Sequence, residues 1–176
     1  MQTLSTQHGR RVLRAFTLVE LIAVLVVLAI LSGVALPKYI DYRDRAQASA
    51  ARGARSALAV AVANARLDDA ATGGTHGEYP SDLSQILETQ DSNNLLNPYH
   101  HHSLPIYDVE FGGEEKMHPI NKTIEMAVSN SWGSIWYNAD NGQVRFRVPY
   151  QGSVHSTMEL YNLVNESTIE TIGQTH

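Results

Sequence analysis

Residues 16–36, FTLVELIAVLVVLAILSGVAL, form one unbroken apolar run with a single ionisable side chain, Glu20. As a helix these 21 residues would extend about 32 Å, close to the ~30 Å hydrocarbon core of a bilayer. A run of this length and composition predicts a membrane-spanning helix rather than the core helix of a small domain. Burying a charge near the bilayer centre costs about 2.5–3.5 kcal/mol, and less towards an end. A carboxylate at Glu20 therefore points to a use for it.

Charge is distributed unevenly around this run. Of 13 basic residues, Arg10, Arg11 and Arg14 precede it, and none of the 18 acidic residues does. By the positive-inside rule the arginines place the N-terminal side in the cytoplasm and the long C-terminal part across the membrane. That C-terminal part is acidic, which argues against a nucleic-acid partner. The chain has no cysteine, which excludes disulfides and thiolate metal sites. A cleaved secretory signal would have a shorter apolar core and a small-residue cleavage site, whereas this run ends at Leu36-Pro37. A plain signal anchor fits the length but gives Glu20 no purpose.

Arg14-Ala15-Phe16-Thr17-Leu18-Val19-Glu20 resembles the processing site of type IV pilins and type II secretion pseudopilins. The resemblance implies that a prepilin peptidase cuts between Ala15 and Phe16, removes residues 1–15 as a leader, and methylates the amine of Phe16. It makes Glu20 the fifth residue of the mature chain and Pro37 the twenty-second, where the family commonly carries a helix-bending proline. Ala15 departs from the usual glycine before the cut. A new amine on Phe16 lies one turn from Glu20, and in a bundle of such helices Glu20 can reach the amine of a neighbour. An unpaired buried charge is heavily penalised, so the pair would set subunit register. Gly33 and Pro37 weaken the helix locally, since proline removes a hydrogen bond to residue 33.

Residues 38–70 read as a continuation of the helix beyond the membrane: alanine-rich, without proline, and with only Gly53. Leu58, Ala61, Val62 and Ala65 form an i, i+3, i+4, i+7 stripe that should dock on a small domain. A helix over residues 16–67 would run about 78 Å, too long for the remainder to cover, so it needs lipid and then partner helices. Residues 68–77 read as the break that follows it.

Residues 71–176 are expected to form a globular head. The segment SDLSQILET reads as a helix after a turn at Tyr79-Pro80. Strand-like runs occupy residues 106–111, 123–128, 134–138 and 143–148, the last two joined by the turn Ala139-Asp140-Asn141-Gly142. Residues 158–164 favour helix. The expected fold is α+β: a long N-terminal helix whose second half packs on a small antiparallel sheet, as the pilin-like resemblance also implies.

Type IV pilins often close a C-terminal loop with a disulfide, and major pseudopilins often stabilise that region with calcium. Without cysteine the first device is excluded, which favours a pseudopilin-like subunit. Calcium is a candidate cofactor at Asn138 and Asp140, although a hairpin turn explains the same letters. His100, His101 and His102, with His76, His118 and His155 elsewhere, raise a transition-metal site, but adjacent histidines in a loop seldom face one ion. There is no GxSxG nucleophile, no phosphate loop and no cysteine nucleophile, so an enzyme is not expected. Asn121-Lys122-Thr123 and Asn165-Glu166-Ser167 match a glycosylation pattern of little meaning in a bacterial host.

Three functions remain. The first is a structural subunit of a periplasmic type II secretion pseudopilus, extracted from the inner membrane through an assembly platform and polymerised through its apolar helix. The second is a surface type IV pilin for adhesion, motility or DNA uptake. The third is a membrane-anchored periplasmic binding module. The implied partners are further pilin-like subunits, the prepilin peptidase, the platform and membrane lipid.

Overall fold

The computed structural model describes residues 16–73, 77–89, 95–100 and 102–176. The chain divides into two units, residues 1–43 and 44–176, and the first helix, α1 (Leu18–Thr72), contributes to both. In the first unit every described residue is exposed, including the apolar side chains Leu18, Leu21, Leu25, Leu28 and Leu31. Apolar surface on all sides is the mark of a helix meant for a membrane or a bundle. By length and composition α1 is a candidate to cross a membrane.

In the second unit, α1 turns a small-residue face inward. Ala48, Ala51, Ala54, Leu58 and Val62 are buried, with Ala61 and Ala65 packed against the same core. The alanines bring the helix backbone close to the domain, and the Leu58–Val62 stripe docks as its spacing predicts. Helix α1 continues through residues 68–72, where a break was expected. Thr72 Oγ1 donates to the carbonyl of Asp68 at 2.9 Å, and the helix stops at Gly73, with φ +79°. Alanine propensity carries the helix past the two aspartates until a residue that favours the left-handed region appears.

Helix α2 (Ser84–Thr89) lies where the sequence places one, its first turn held by Asp82 Oδ1, which accepts from the Ser84 amide at 2.8 Å. Strand β1 (Tyr107–Glu110), helix α3 (Ile124–Asn130), strands β2 (Ile135–Asn138) and β3 (Gln143–Phe146), and helix α4 (Val154–Asn165) follow. The sheet order is β1-β2-β3. Strands β2 and β3 are antiparallel, with Ile135 opposite Phe146 and Asn138 opposite Gln143. The turn between them closes with the Gly142 amide donating to the Asn138 carbonyl at 2.9 Å. Gly142 has φ +71°, and a Cβ there would strike the ring of Tyr79, so two independent constraints demand glycine.

Two expectations are corrected here. Residues 123–128 are not a strand. Thr123 alone is extended, bridging to Val148, and α3 begins directly after it. Asn121 Oδ1 accepts from the Thr123 amide at 3.1 Å and turns the chain, and beyond Thr123 the buried residues of the run are Ile124 and Ala127, a helical spacing. A short apolar run is ambiguous between the two periods, and the turn at Asn121 decides it. The second correction follows from the first. With α3 inside the connection from Glu110 to Ile135, β1 crosses over and pairs with β2 in parallel, Tyr107 opposite Ile135, so the sheet is mixed rather than antiparallel.

The core between α1, the sheet and α4 holds Leu58, Val62, Ile135, Tyr137, Phe146 and Tyr161, all buried. Ser153 caps α4 by accepting from the Ser156 amide at 3.1 Å, and Glu166 ends it in the left-handed conformation, with φ 50°. Glu166 also pairs with the buried Arg55 of α1, which ties the two helices together inside this unit.

Candidate functional site

In the first unit the end of α1 is closed by a reciprocal pair. Glu20 Oε2 accepts from the Thr17 amide and the Thr17 hydroxyl, both at 2.9 Å. Thr17 Oγ1 in turn accepts from the Glu20 amide at 3.2 Å. This is a capping box, which satisfies donors that the first turn of a helix leaves without partners. The T-x-x-E spacing was visible in the sequence, and reading Glu20 only as an ion-pair partner missed it. Phe16, at the start of the described chain, is exposed. Gly33 and Pro37 lie inside α1, and a Cβ on Gly33 would meet nothing within 4 Å, so packing within the chain does not require glycine there. Arg10, Arg11, Arg14 and Ala15 lie outside the described residues.

In the second unit the two residues proposed for calcium are already engaged. Asn138 is fully buried: its Nδ2 donates to the carbonyls of Gly113 at 2.9 Å and Lys116 at 3.0 Å. Its Oδ1 accepts from the amides of Gly112 at 3.4 Å and Asp140 at 3.1 Å. Asp140 Oδ2 accepts from the Gly113 amide at 2.7 Å. These atoms fasten the β2–β3 turn to the loop after β1, a structural use that accounts for both residues. His100 Nδ1 meets Ser134 Oγ at 2.9 Å, and His102 is exposed. His101 and His76 lie outside the described residues. Among the described residues no group of three or more histidine or acidic side chains is placed to hold a metal ion. Asn121 and Asn165, the acceptors of the two glycosylation patterns, are buried.

The sequence reading also missed the buried cations. Arg147, almost fully buried, pairs with Asp108, donates to the carbonyl of Gly133, and reaches the carbonyl of Asn121 at 3.0 Å. It joins β1, the entrance to β2, and the loop before α3. Arg145 Nε donates to the Met117 carbonyl at 3.0 Å. His118 is buried beside Tyr161, with Nδ1 3.2 Å from the hydroxyl. Burial, with Arg145 and then Lys122 nearby, pushes its imidazole down from 6.5 to about 4.

That shift makes an acid-sensitive group. The unfolded chain binds a proton at His118 below its ordinary range and the folded chain does not. The contribution is therefore complete above pH 6.5 and is lost as pH falls towards 4. At about 1.36 kcal/mol per unit, the whole interval amounts to about 3 kcal/mol. Urea unfolding of the full chain in detergent, followed by tryptophan fluorescence, should show this loss between these pH values. His118→Gln should flatten that part of the profile, and an unchanged slope would refute the assignment.

The comparisons with known proteins agree with the geometry of the first unit. A family model described as the prokaryotic N-terminal methylation motif matches residues 10–36. The chain is 26% identical over 138 residues to a type IV major pilin protein, PilE1, of Neisseria gonorrhoeae, covering 76% of this chain and 73% of that protein. No solved structure matches the chain. An N-terminal methylation motif, an apolar helix and a small α+β head together define a type IV pilin-like protein.

Proposed function

We propose that this chain is a filament subunit of the type II secretion pseudopilus or a closely related assembly, which polymerises through the apolar part of α1 to support protein export. The observation that carries the reading is the conjunction of the methylation motif with a helix whose first unit is apolar and exposed throughout. In this reading residues 1–15 are a leader, residues 16–37 span the inner membrane and later line the filament core, residues 38–70 continue the helix in the periplasm, and residues 71–176 are the head. Arg10, Arg11 and Arg14 hold the leader in the cytoplasm. The prepilin peptidase cuts between Ala15 and Phe16 and methylates Phe16. Glu20 then pairs with the amine of a neighbouring subunit, and Gly33 and Pro37 let the helix adjust as it leaves lipid for the filament. The inner-membrane platform and other pilin-like subunits are its partners.

A surface type IV pilin is the second reading, favoured by the similarity to a gonococcal type IV major pilin. The absence of cysteine from the sequence favours the pseudopilus. Intact-mass and N-terminal analysis of the protein from its native membrane tests entry into either pathway. A chain beginning at methylated Phe16, and uncut when the peptidase gene is deleted, is the expected result. A chain still beginning at Met1 in the presence of the peptidase would leave only an anchored periplasmic domain. Filaments found on the cell surface, not confined beneath the outer membrane, would favour the pilin.

A further inference from the structure

Lys122 is the most deeply placed cation of the head, with no exposed surface. Its Nζ donates to three backbone carbonyls: Pro119 at 2.8 Å, Ile172 at 2.6 Å and Gln174 at 2.6 Å. An ammonium has three N–H donors, and here each has an oxygen. Two of the three oxygens come from residues 172–176, a segment without helix or strand. The same segment is held at further points. Thr175 O accepts from the amides of Met117 at 2.9 Å and His118 at 3.1 Å, and His176 Nδ1 lies 3.0 Å from the carbonyl of Glu115.

Residues 172–176 are half-buried or exposed, and where their carbonyls turn inward neither a ladder nor a helix satisfies them. One charged centre with three donors answers that need, and charge-assisted bonds are roughly twice as strong as neutral ones. The surroundings fit an ammonium and not a divalent ion. The cage oxygens are backbone carbonyls without a carboxylate among them, whereas calcium takes 6–8 oxygens that usually include carboxylates. The nearby acids are engaged elsewhere, Asp108 with Arg147 and Glu110 with Lys116. The Tyr161 ring of α4 faces the ammonium at 5.8 Å from its centroid. Burial, and then Arg147 and Lys116, lower Lys122 to about 8, so it still carries its proton at neutral pH.

We propose that the Lys122 ammonium is a built-in cation that clasps residues 172–176 onto the loop of residues 115–122, so that closure of this head needs neither a divalent ion nor a disulfide. The clasp does not depend on whether the chain polymerises. It also accounts for a head whose β2–β3 turn is tied to the loop through Asn138 and Asp140 and whose sequence has no cysteine.

Hydrogen exchange of the full chain in detergent micelles at neutral pH tests it. In the wild type the amides of Met117 and His118 should be protected equally with and without excess EDTA. Lys122→Met should speed their exchange about tenfold or more while leaving the amide of Phe146 unchanged. Lys122→Ala should behave alike and regain protection with propylammonium but not with propanol. Unchanged protection in Lys122→Met would overturn the clasp, and so would loss of wild-type protection in EDTA. Should both variants lose the Phe146 amide as well, the rescue decides. Recovery with propylammonium alone supports the clasp; recovery with both additives or with neither refutes it.

Discussion

Gly133→Ala is expected to destabilise the head by about 3 kcal/mol or more, enough to consume much of the 5–15 kcal/mol typical of a folded domain. Gly133 is not held at positive φ, so the demand is not one of turn geometry. Its Cα faces the backbone of β1, and a Cβ there would fall inside contact distance of Tyr107 and Asp108. Backbone cannot swing aside as a flexible side chain can, so strand β1 would have to move. The same place carries polar bonds that cannot follow: the Gly133 amide donates to Asp108 Oδ1 at 3.0 Å, and its carbonyl accepts from Arg147. Chemical denaturation of Gly133→Ala should show the loss, with Gly53→Ala as the control, since a Cβ there meets nothing within 4 Å. A wild-type midpoint for Gly133→Ala would mean that the parallel β1–β2 pairing does not bear on stability.

Glu20→Ala is expected to abolish filaments while leaving membrane insertion and the folded head intact. Two consequences of the change differ in size. Losing the capping box with Thr17 weakens one helix end by about 1 kcal/mol. Leaving an amine unpaired in an apolar bundle costs about 3–5 kcal/mol at every subunit. Glu20→Gln separates them, because glutamine still accepts in a capping box but carries no charge. Under the proposed register role, Glu20→Gln should fail as completely as alanine in a filament-yield assay with the assembly machinery present. Normal yield from Glu20→Gln would assign Glu20 to helix capping alone.

The elements most legible in the sequence were those whose signal is local. The apolar run and its alanine-rich continuation predicted α1. The Asn-Gly turn predicted the β2–β3 hairpin, and the spacing of Leu58, Ala61, Val62 and Ala65 predicted the face that docks. The reading failed where local signals were balanced. Residues 123–128 satisfy both a strand and a short helix, and the Asn121 side chain, by turning the chain, tips the choice. The calcium suggestion meets a competing use of the same residues. Asn138 and Asp140 have the right atoms for a cation, but hydrogen bonds to the loop after β1, distant in sequence, give the same side chains a structural use.

By itself the sequence pointed to the class of this protein, since a methylation motif and a long apolar run are properties of consecutive residues. The parallel crossover into β2, the Arg147 and Asp108 tie and the Lys122 cage were decided by tertiary structure alone. Each joins groups far apart in the chain, and whether a buried lysine or asparagine is a cost or a fastening depends on which carbonyls the fold brings to it.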